Sequence, residues 1–160
     1  MPNTPTSSEV PKNIVLKGDP IRKEGVAGGT IKPGQLITFN LNDGKLVVHG
    51  DVQSNAAAMF AVEQDFIGGG IDKEYAANDQ VQYVICRPGD EVYGFLNANE
   101  NVKRGDFLSS AGNGAMAKHD PLEAGDTEAG KIFVRAVVAR ANEDLDLSGD
   151  STGRLKLEVV

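Results

Sequence analysis

Apolar and polar residues alternate in short runs along most of the chain from residue 13 onward. In the last run, residues 154–160, single residues separate Leu155, Leu157 and Val159. A period of two places successive side chains on opposite faces of a strand, so this pattern predicts half-buried β-strands. We predict strands in the following runs: residues 13–17, 35–41, 45–49, 81–86, 91–96, 132–140 and 154–160.

The segments between these runs are rich in glycine and acidic residues. Asp43–Gly44 separates two alternating runs, and Asp-Gly in that position predicts a hairpin with a type I′ turn, in which both central residues have positive φ. Asn113–Gly114 predicts a second tight turn. These signals predict an all-β fold of roughly eight to ten short strands.

One stretch, residues 54–64, is compatible with a helix. Ser54 is a suitable N-cap, and the alanines that follow have high helix propensity. The tail of the stretch, residues 59–65, is equally compatible with a strand, so both interpretations stay open.

Length and composition agree with one β domain. The chain has 160 residues, 19 glycines and no tryptophan, which suits a turn-rich β protein better than a helical bundle. Residues 1–12 contain Pro2, Pro5 and Pro11 and show no hydrophobic period. Such a segment buries too little apolar surface to offset its ordering entropy. We predict a flexible N-terminal arm over residues 1–12 and a single domain over 13–160.

The charge balance excludes several classes of partner. There are 16 lysines and arginines against 23 acidic residues, a net charge of -7, which repels a phosphate backbone. No stretch approaches the ~18 apolar residues of a membrane span, and the N-terminus has no apolar signal core. We predict a soluble protein that is not exported, is made in a reducing cytoplasm, and binds neither nucleic acid nor membrane.

One pattern occurs twice, at residues 31–51 and 102–120. In each copy an apolar residue, a lysine and a glycine precede a short apolar run, a tight turn, and a closing histidine and aspartate. A duplicated half-barrel accounts for this pattern and divides the domain into candidate lobes 13–100 and 101–160. The alternative is that glycine turns recur through shared turn chemistry alone.

The residues that could carry chemistry form no recognisable constellation. The only cysteine, Cys86, lies in an apolar alternating run and is predicted to be a core residue. His49 and His119 are predicted to be hairpin residues, since spacing fixes no third metal ligand. The acidic loop 142–150 lacks the oxygen spacing of a calcium loop. We therefore predict no catalytic, cofactor-binding or metal-binding residue, and no small-molecule substrate.

A short hairpin resembles a motif of trimeric dUTPases. Gly70, Ile71, Asp72 and Tyr75 match the pattern in which an aspartate activates water and a tyrosine stacks beneath the sugar. The Arg-Ser-Gly motif that contacts the phosphates has no counterpart. This resemblance implies a nucleotide hydrolase on a jelly-roll trimer, which we keep as an alternative function.

Residues 27–65 resemble the head-decoration, or cement, proteins of tailed bacteriophages. The family pattern is an apolar-x-Pro-Gly-x-Leu turn, a hairpin returning as Lys-Leu-Val, an alanine-rich connection and an Ala-Val strand. The matching positions are Ile31, Pro33, Gly34 and Leu36 in the turn, Lys45, Leu46 and Val47 in the return strand, and 56–62 in the connection.

This resemblance implies a β-tulip or small β-barrel that forms a homotrimer and binds the major capsid protein. It places the protein on the outer surface of the expanded capsid in the virion, after synthesis in the host cytoplasm. The arm, with Pro5, Val10 and Pro11 as candidate partner-binding residues, would add to capsid strands and stabilise the shell without catalysis. A second alternative is another β-module of the virion, in a tail or fibre.

Overall fold

The computed structural model describes residues 10–120 and 136–160. Thirteen strands occur there: β1 (Val15–Lys17), β2 (Ile21–Val26), β3 (Ile37–Phe39), β4 (Leu46–Val48), β5 (Met59–Ala61), β6 (Gln80–Ile85), β7 (Glu91–Leu96), β8 (Asn101–Val102), β9 (Phe107–Ser110), β10 (Met116–Lys118), β11 (Ala139–Ala141), β12 (Leu145–Asp146) and β13 (Gly153–Val159). The only helix among these residues is a 3-10 turn at Asp65–Ile67. The prediction of an all-β fold built on a small barrel is confirmed.

The strands of the second half close into a five-stranded barrel. Around the barrel the order is β7, β13, β11, β9, β10 and back to β7. The contacts are antiparallel except the closing one, where β10 meets β7 in parallel at Met116 and Leu96. Outside this ring, β1 adds antiparallel to the first half of β7.

The strands of the first half form a second ring: β2, β6, β5, β3, β4 and back to β2. When the five strands of each ring are counted in chain order, both rings run first, fifth, fourth, second, third and back to first. β6 pairs with β2 and β5, and β3 with β4, all antiparallel. Single bridges complete the ring, antiparallel between Leu36 and Phe60 and parallel between Ala27 and Leu46. The parallel closing contact thus falls at the same place in both rings.

The two Lys-x-Gly turns found in the sequence make the same hydrogen bonds. Gly34 N–H donates to Ala61 O at 2.7 Å, and Gly105 N–H donates to Ala141 O at 2.8 Å. The two glycines have φ of 94° and 96°, a region that favours glycine. Each turn therefore ties the start of a hairpin to the next strand of its own ring.

A side chain closes each of these turns in the same way. Gln35 Oε1 accepts from Lys32 N–H at 2.8 Å, and Asp106 Oδ2 accepts from Lys103 N–H at 2.9 Å. The second bond also holds the pKa of Asp106 below its ordinary value. The sequence repeat is thus matched by repeated backbone and side-chain geometry.

The rings have equivalent interiors. The first is filled by Ala27, Ile31, Ile37, Leu46, Met59, Ala61, Tyr75, Val81 and Tyr83. The corresponding positions of the second are Leu96, Val102, Leu108, Met116, Ala139, Ala141, Leu145, Leu155 and Leu157. The outward-facing Phe60 and Val84 of the first ring belong to the core cluster of the second, so the two rings share buried apolar surface.

One local prediction is wrong, and one open alternative is resolved. Asp43–Gly44 does not form a type I′ turn, because only Gly44 has positive φ. The connection is instead the longer loop 40–45, closed by Asn40 N–H donating to Lys45 O at 2.8 Å. Residues 54–64 form no helix, and the strand alternative for their tail is the correct one, since β5 begins at Met59. Burial on both faces of β5, against both rings, outweighs the helix propensity of the alanines.

Two predicted features extend past the described residues. Residues 132–135 of the predicted strand 132–140 and most of the arm lie outside them. Within the described part of the chain, we find no helix with the length and apolar character needed to span a membrane.

Candidate binding surface at the base of the N-terminal arm

The point at which the arm joins the fold is fixed by Ile14. Its side chain is fully buried in the core shared by the two rings. Its N–H donates to the buried Glu63 Oε2 at 3.0 Å, and its carbonyl accepts from Tyr93 N–H at 2.7 Å. The described residues 10–13 are therefore attached to the core through Ile14.

Two of the three candidate partner-binding residues lie beside this base. Val10, 70% exposed, and the half-buried Pro11 line a depression of about 560 Å³ together with residues 70–73. Pro5 lies outside the described residues. The surface therefore combines the last residues of the predicted arm with the hairpin that resembles the dUTPase motif.

The guanidinium of Arg154 is hydrogen-bonded to residues of this surface and its neighbourhood. Its guanidinium donates to Ile71 O at 2.7 Å, to Pro33 O at 3.0 Å and to Asp72 Oδ1 at 3.3 Å. The same group lies 4.3 Å from the centre of the Phe95 ring, and its side chain is only 13% exposed. Because Pro33 and Ile71 belong to the first half of the chain, these hydrogen bonds of Arg154 connect that half to the second ring.

The nucleotide-like hairpin does not present its tyrosine. The Tyr75 side chain fills the interior of the first ring, and its hydroxyl donates to Val62 O at 2.7 Å. Burial raises the pKa of Tyr75 above its ordinary value. Asp72 is exposed, yet its carboxylate faces Arg154. A tyrosine inside the fold cannot stack beneath a sugar, so this geometry does not support nucleotide binding here.

The two histidines form hydrogen bonds with serines of the hairpin strand β9. His49 is buried, with Nδ1 2.8 Å from Ser110 Oγ and Nε2 3.3 Å from Asn55 O. Because a carbonyl only accepts, Nε2 is the donor to Asn55 O, and in a neutral ring Nδ1 would accept the serine proton. His119 Nδ1 lies 2.6 Å from Ser109 Oγ. Across residues 10–120 and 136–160, no three His, Cys, Asp or Glu side chains are grouped to hold a metal.

The carboxylates of the acidic loop 142–150 fix backbone geometry. Glu143 Oε1 accepts from Lys156 N–H at 2.9 Å, and Asp144 Oδ1 accepts from Arg104 N–H at 2.8 Å. These bonds attach the loop to β13 and to the second Lys-x-Gly turn. The loop is therefore part of the structural framework of the second ring.

Cys86 is expected to resist alkylation in the folded protein. Burial, with a smaller contribution from Asp90, raises the pKa of its thiol from 9.0 to about 12. Since only the thiolate reacts, iodoacetamide at pH 8 should label it ~1000-fold more slowly than an ordinary thiol. Mass spectrometry with and without guanidinium measures this, and labelling in guanidinium is the control. Fast labelling of the folded protein contradicts the buried position.

Neither a scan against protein-family models nor a search of curated proteins found a match to this sequence. Among solved structures, the chain is similar to the N base of the head fibre gp8.5 in bacteriophage phi29. The TM-score is 0.53 over 88% of this chain and 93% of that chain, with 13% sequence identity. The two chains share a fold. At that identity the likeness extends to the architecture and assigns no site residue.

The sequence singled out Val10, Pro11, Ile71 and Asp72 of this surface, but not the two charged residues that hold it in place. Arg154 and Glu63 are charged residues at the edge of apolar runs, where exposed side chains are the norm. Their partners are distant in the chain: Pro33 lies 121 positions from Arg154, and Ile14 lies 49 from Glu63. One weak signal was present, since Glu63 directly follows the buried run 59–62.

Proposed function

We propose that this chain is a structural, non-catalytic protein of a phage virion that decorates the outer surface of the expanded capsid. The observation that carries the proposal is the fold it shares, over nearly its whole length, with the base of a phage head fibre. The decoration-like pattern of residues 27–65 is an independent argument in the same direction. The major capsid protein is the proposed partner, and a homotrimer is the proposed assembly.

The arm is the proposed attachment element. Ile14 is anchored in the core, and Val10 and Pro11 lie on the surface beside it, which supports an attachment role for residues 1–12 with Pro5, Val10 and Pro11 as candidate contacts. An extended segment can pair its backbone with an exposed sheet edge of another protein. Repetition of that contact over a symmetric shell raises the effective concentration of every further contact.

The described side chains suit this role better than catalysis. The thiol of Cys86 is buried and kept protonated, His49 is held by Ser110, and Tyr75 lies inside the first ring. Each of these side chains is buried or hydrogen-bonded within the protein, whereas a nucleophile, a general base or a stacking residue must be accessible to a substrate.

A second candidate is the base of a fibre or another virion appendage. The likeness to a head fibre base specifically favours it. In that case this domain would attach to the virion and carry a further part. Cryo-EM of virions separates the two, because a decoration protein alone ends at its own barrel.

The proposal is tested by co-sedimentation with expanded capsids. We expect the full chain to saturate the capsids, and deletion of residues 1–12 to lower occupancy at least about tenfold. Unfolding should change little, because the core begins at Ile14. A matched control replaces residues 1–9 with glycine and serine at equal length, which keeps the reach and removes the sequence. Unchanged occupancy after deletion contradicts the arm's role, and absence of binding by the full chain contradicts the function.

A further inference from the structure

Among the residues that the structure describes, one edge of the first ring has no partner strand over most of its length. β2 pairs with β6 along its whole length, but it meets β4 only at Ala27. Ala27 N–H donates to Asp79 O on the β6 side, while Gly28 N–H donates to Leu46 O on the other side. Because backbone groups alternate along a strand, Arg22 and Glu24 direct theirs away from β6. The backbone of neither is hydrogen-bonded across that edge to any residue that the structure describes.

The same edge is covered in the second ring. Gly25 of β2 pairs with Val81 as Gly94 of β7 pairs with Leu155, so Glu24 corresponds to Tyr93. Tyr93 N–H donates to Ile14 O, beside the antiparallel pairing of β1 with β7. Within residues 10–120 and 136–160, the duplicated architecture therefore contains one edge with its added strand and one edge without.

The side chains beside this edge also border a depression on the face of the sheet. About 510 Å³ of space extends from Arg22–Glu24 across β6 to Val62 and Phe66. Because β6 separates Phe66 from the unpaired edge, this depression does not lie along that edge. A further strand on β2 therefore gains backbone hydrogen bonds and cross-strand contacts with the side chains of β2 itself.

We propose that β2 of a second copy of this chain docks antiparallel on this edge, across a two-fold axis centred at Lys23. In that register Arg22 faces Glu24 of the other copy, and the two exchange backbone hydrogen bonds on both sides of the axis. Both residues lie on one face of the strand, so each arginine also meets a carboxylate directly across the ladder. The edge is complementary to itself in backbone and in charge.

The pairing has one unfavourable element. Lys23 lies opposite its own copy on the other face of the ladder, and like charges directly opposite weaken a strand pair. The interface is also short, since β2 spans Ile21–Val26. The contact is therefore weak and concentration-dependent in solution. It joins copies two at a time, so within the proposed assembly it links neighbouring trimers rather than building one.

The test is sedimentation equilibrium of the full chain and charge variants over a wide concentration range. We expect the wild type to reach at least twice the mass of the Arg22→Glu variant at high concentration, since a monomer would form dimers and a trimer, with three such edges, could form larger assemblies. Glu24→Arg should also weaken pairing at least about tenfold, because each reversal creates two like-charged contacts. The double variant R22E/E24R restores opposite charges and should restore pairing. Lys23→Gln should tighten it.

Circular dichroism and thermal unfolding of each variant serve as the folding control, since all three positions are exposed. Wild type that never doubles its mass overturns the proposal. So do folded single reversals that pair as well as wild type, or a double variant that fails to recover. If deletion of residues 1–9 abolishes the doubling while β2 is intact, the arm occupies the edge and the proposal is wrong. None of these readouts depends on capsid binding.

Discussion

Gly34→Ala should destabilise the fold by about 3 kcal/mol or more, a fall in Tm of roughly 6–12 °C. Gly34 has φ of 94°, where a residue with a side chain is strained by ~1–2 kcal/mol. The added methyl carbon would also lie 2.8 Å from Tyr93 O and 2.7 Å from an Arg154 nitrogen. The carbonyl belongs to β7 and cannot move aside alone. Both the arm base and the Arg154 contacts are therefore disturbed together.

Gly105→Ala is the matched control. Gly105 holds the same place in the second Lys-x-Gly turn with φ of 96°, but apart from its chain neighbours no atom of the described residues lies within 4 Å of the added carbon. Only the backbone strain remains, so the expected cost is ~1–2 kcal/mol. Calorimetry or guanidinium unfolding of both variants measures the difference. If both variants lose the same free energy of unfolding, the close contacts of the added carbon at Gly34 do not contribute to the destabilisation.

Arg154→Ala should lower the free energy of unfolding by about 2–4 kcal/mol. The change leaves the carbonyls of Ile71 and Pro33 without their guanidinium donor and removes the stacking on Phe95. Arg154→Lys should recover little, because one ammonium cannot reproduce a planar fork that reaches both carbonyls at once. Chemical denaturation with global fitting measures these losses.

Arg140→Ala is the control for losing an arginine. Arg140 donates to both oxygens of Glu158 at 3.0 and 3.1 Å, but its side chain is 48% exposed. Exposed ion pairs of this kind contribute ~1 kcal/mol or less. If the Arg140 and Arg154 variants lose equal stability, Arg154 does not fasten the two rings as described.

The sequence predicted the features that depend on neighbouring residues. The period of two in runs such as 91–96 and 154–160 predicted strands, and strands β7 and β13 occupy them. The repeated Lys-x-Gly pattern pointed to Gly34 and Gly105, and both have the same positive φ. Such signals depend on one to a few adjacent positions, so they can be recognised in the sequence without knowledge of the fold.

Local signals failed where distant parts of the chain compete for a segment. The alanines of 54–58 favour helix, yet burial of β5 between the two rings requires an extended backbone. Asp43–Gly44 marks the position of a hairpin, but the length of its loop follows from the pairing of β3 with β4 within the ring. In both cases packing free energy exceeds a local preference of a few tenths of a kcal/mol per residue.

Adjacent residues were enough to indicate a β protein with a net negative charge, a polar N-terminal segment and a Lys-x-Gly turn that occurs twice. The folded chain adds three features: the two copies close into rings of one strand order, Arg154 joins the halves, and Arg22 and Glu24 of β2 pair with no described residue on the side away from β6. The two groups of features differ in the range of the interactions behind them. Alternation and turn chemistry act between near neighbours, whereas ring closure, a guanidinium contact across 121 positions and the pairing of a strand edge arise once distant strands have come together.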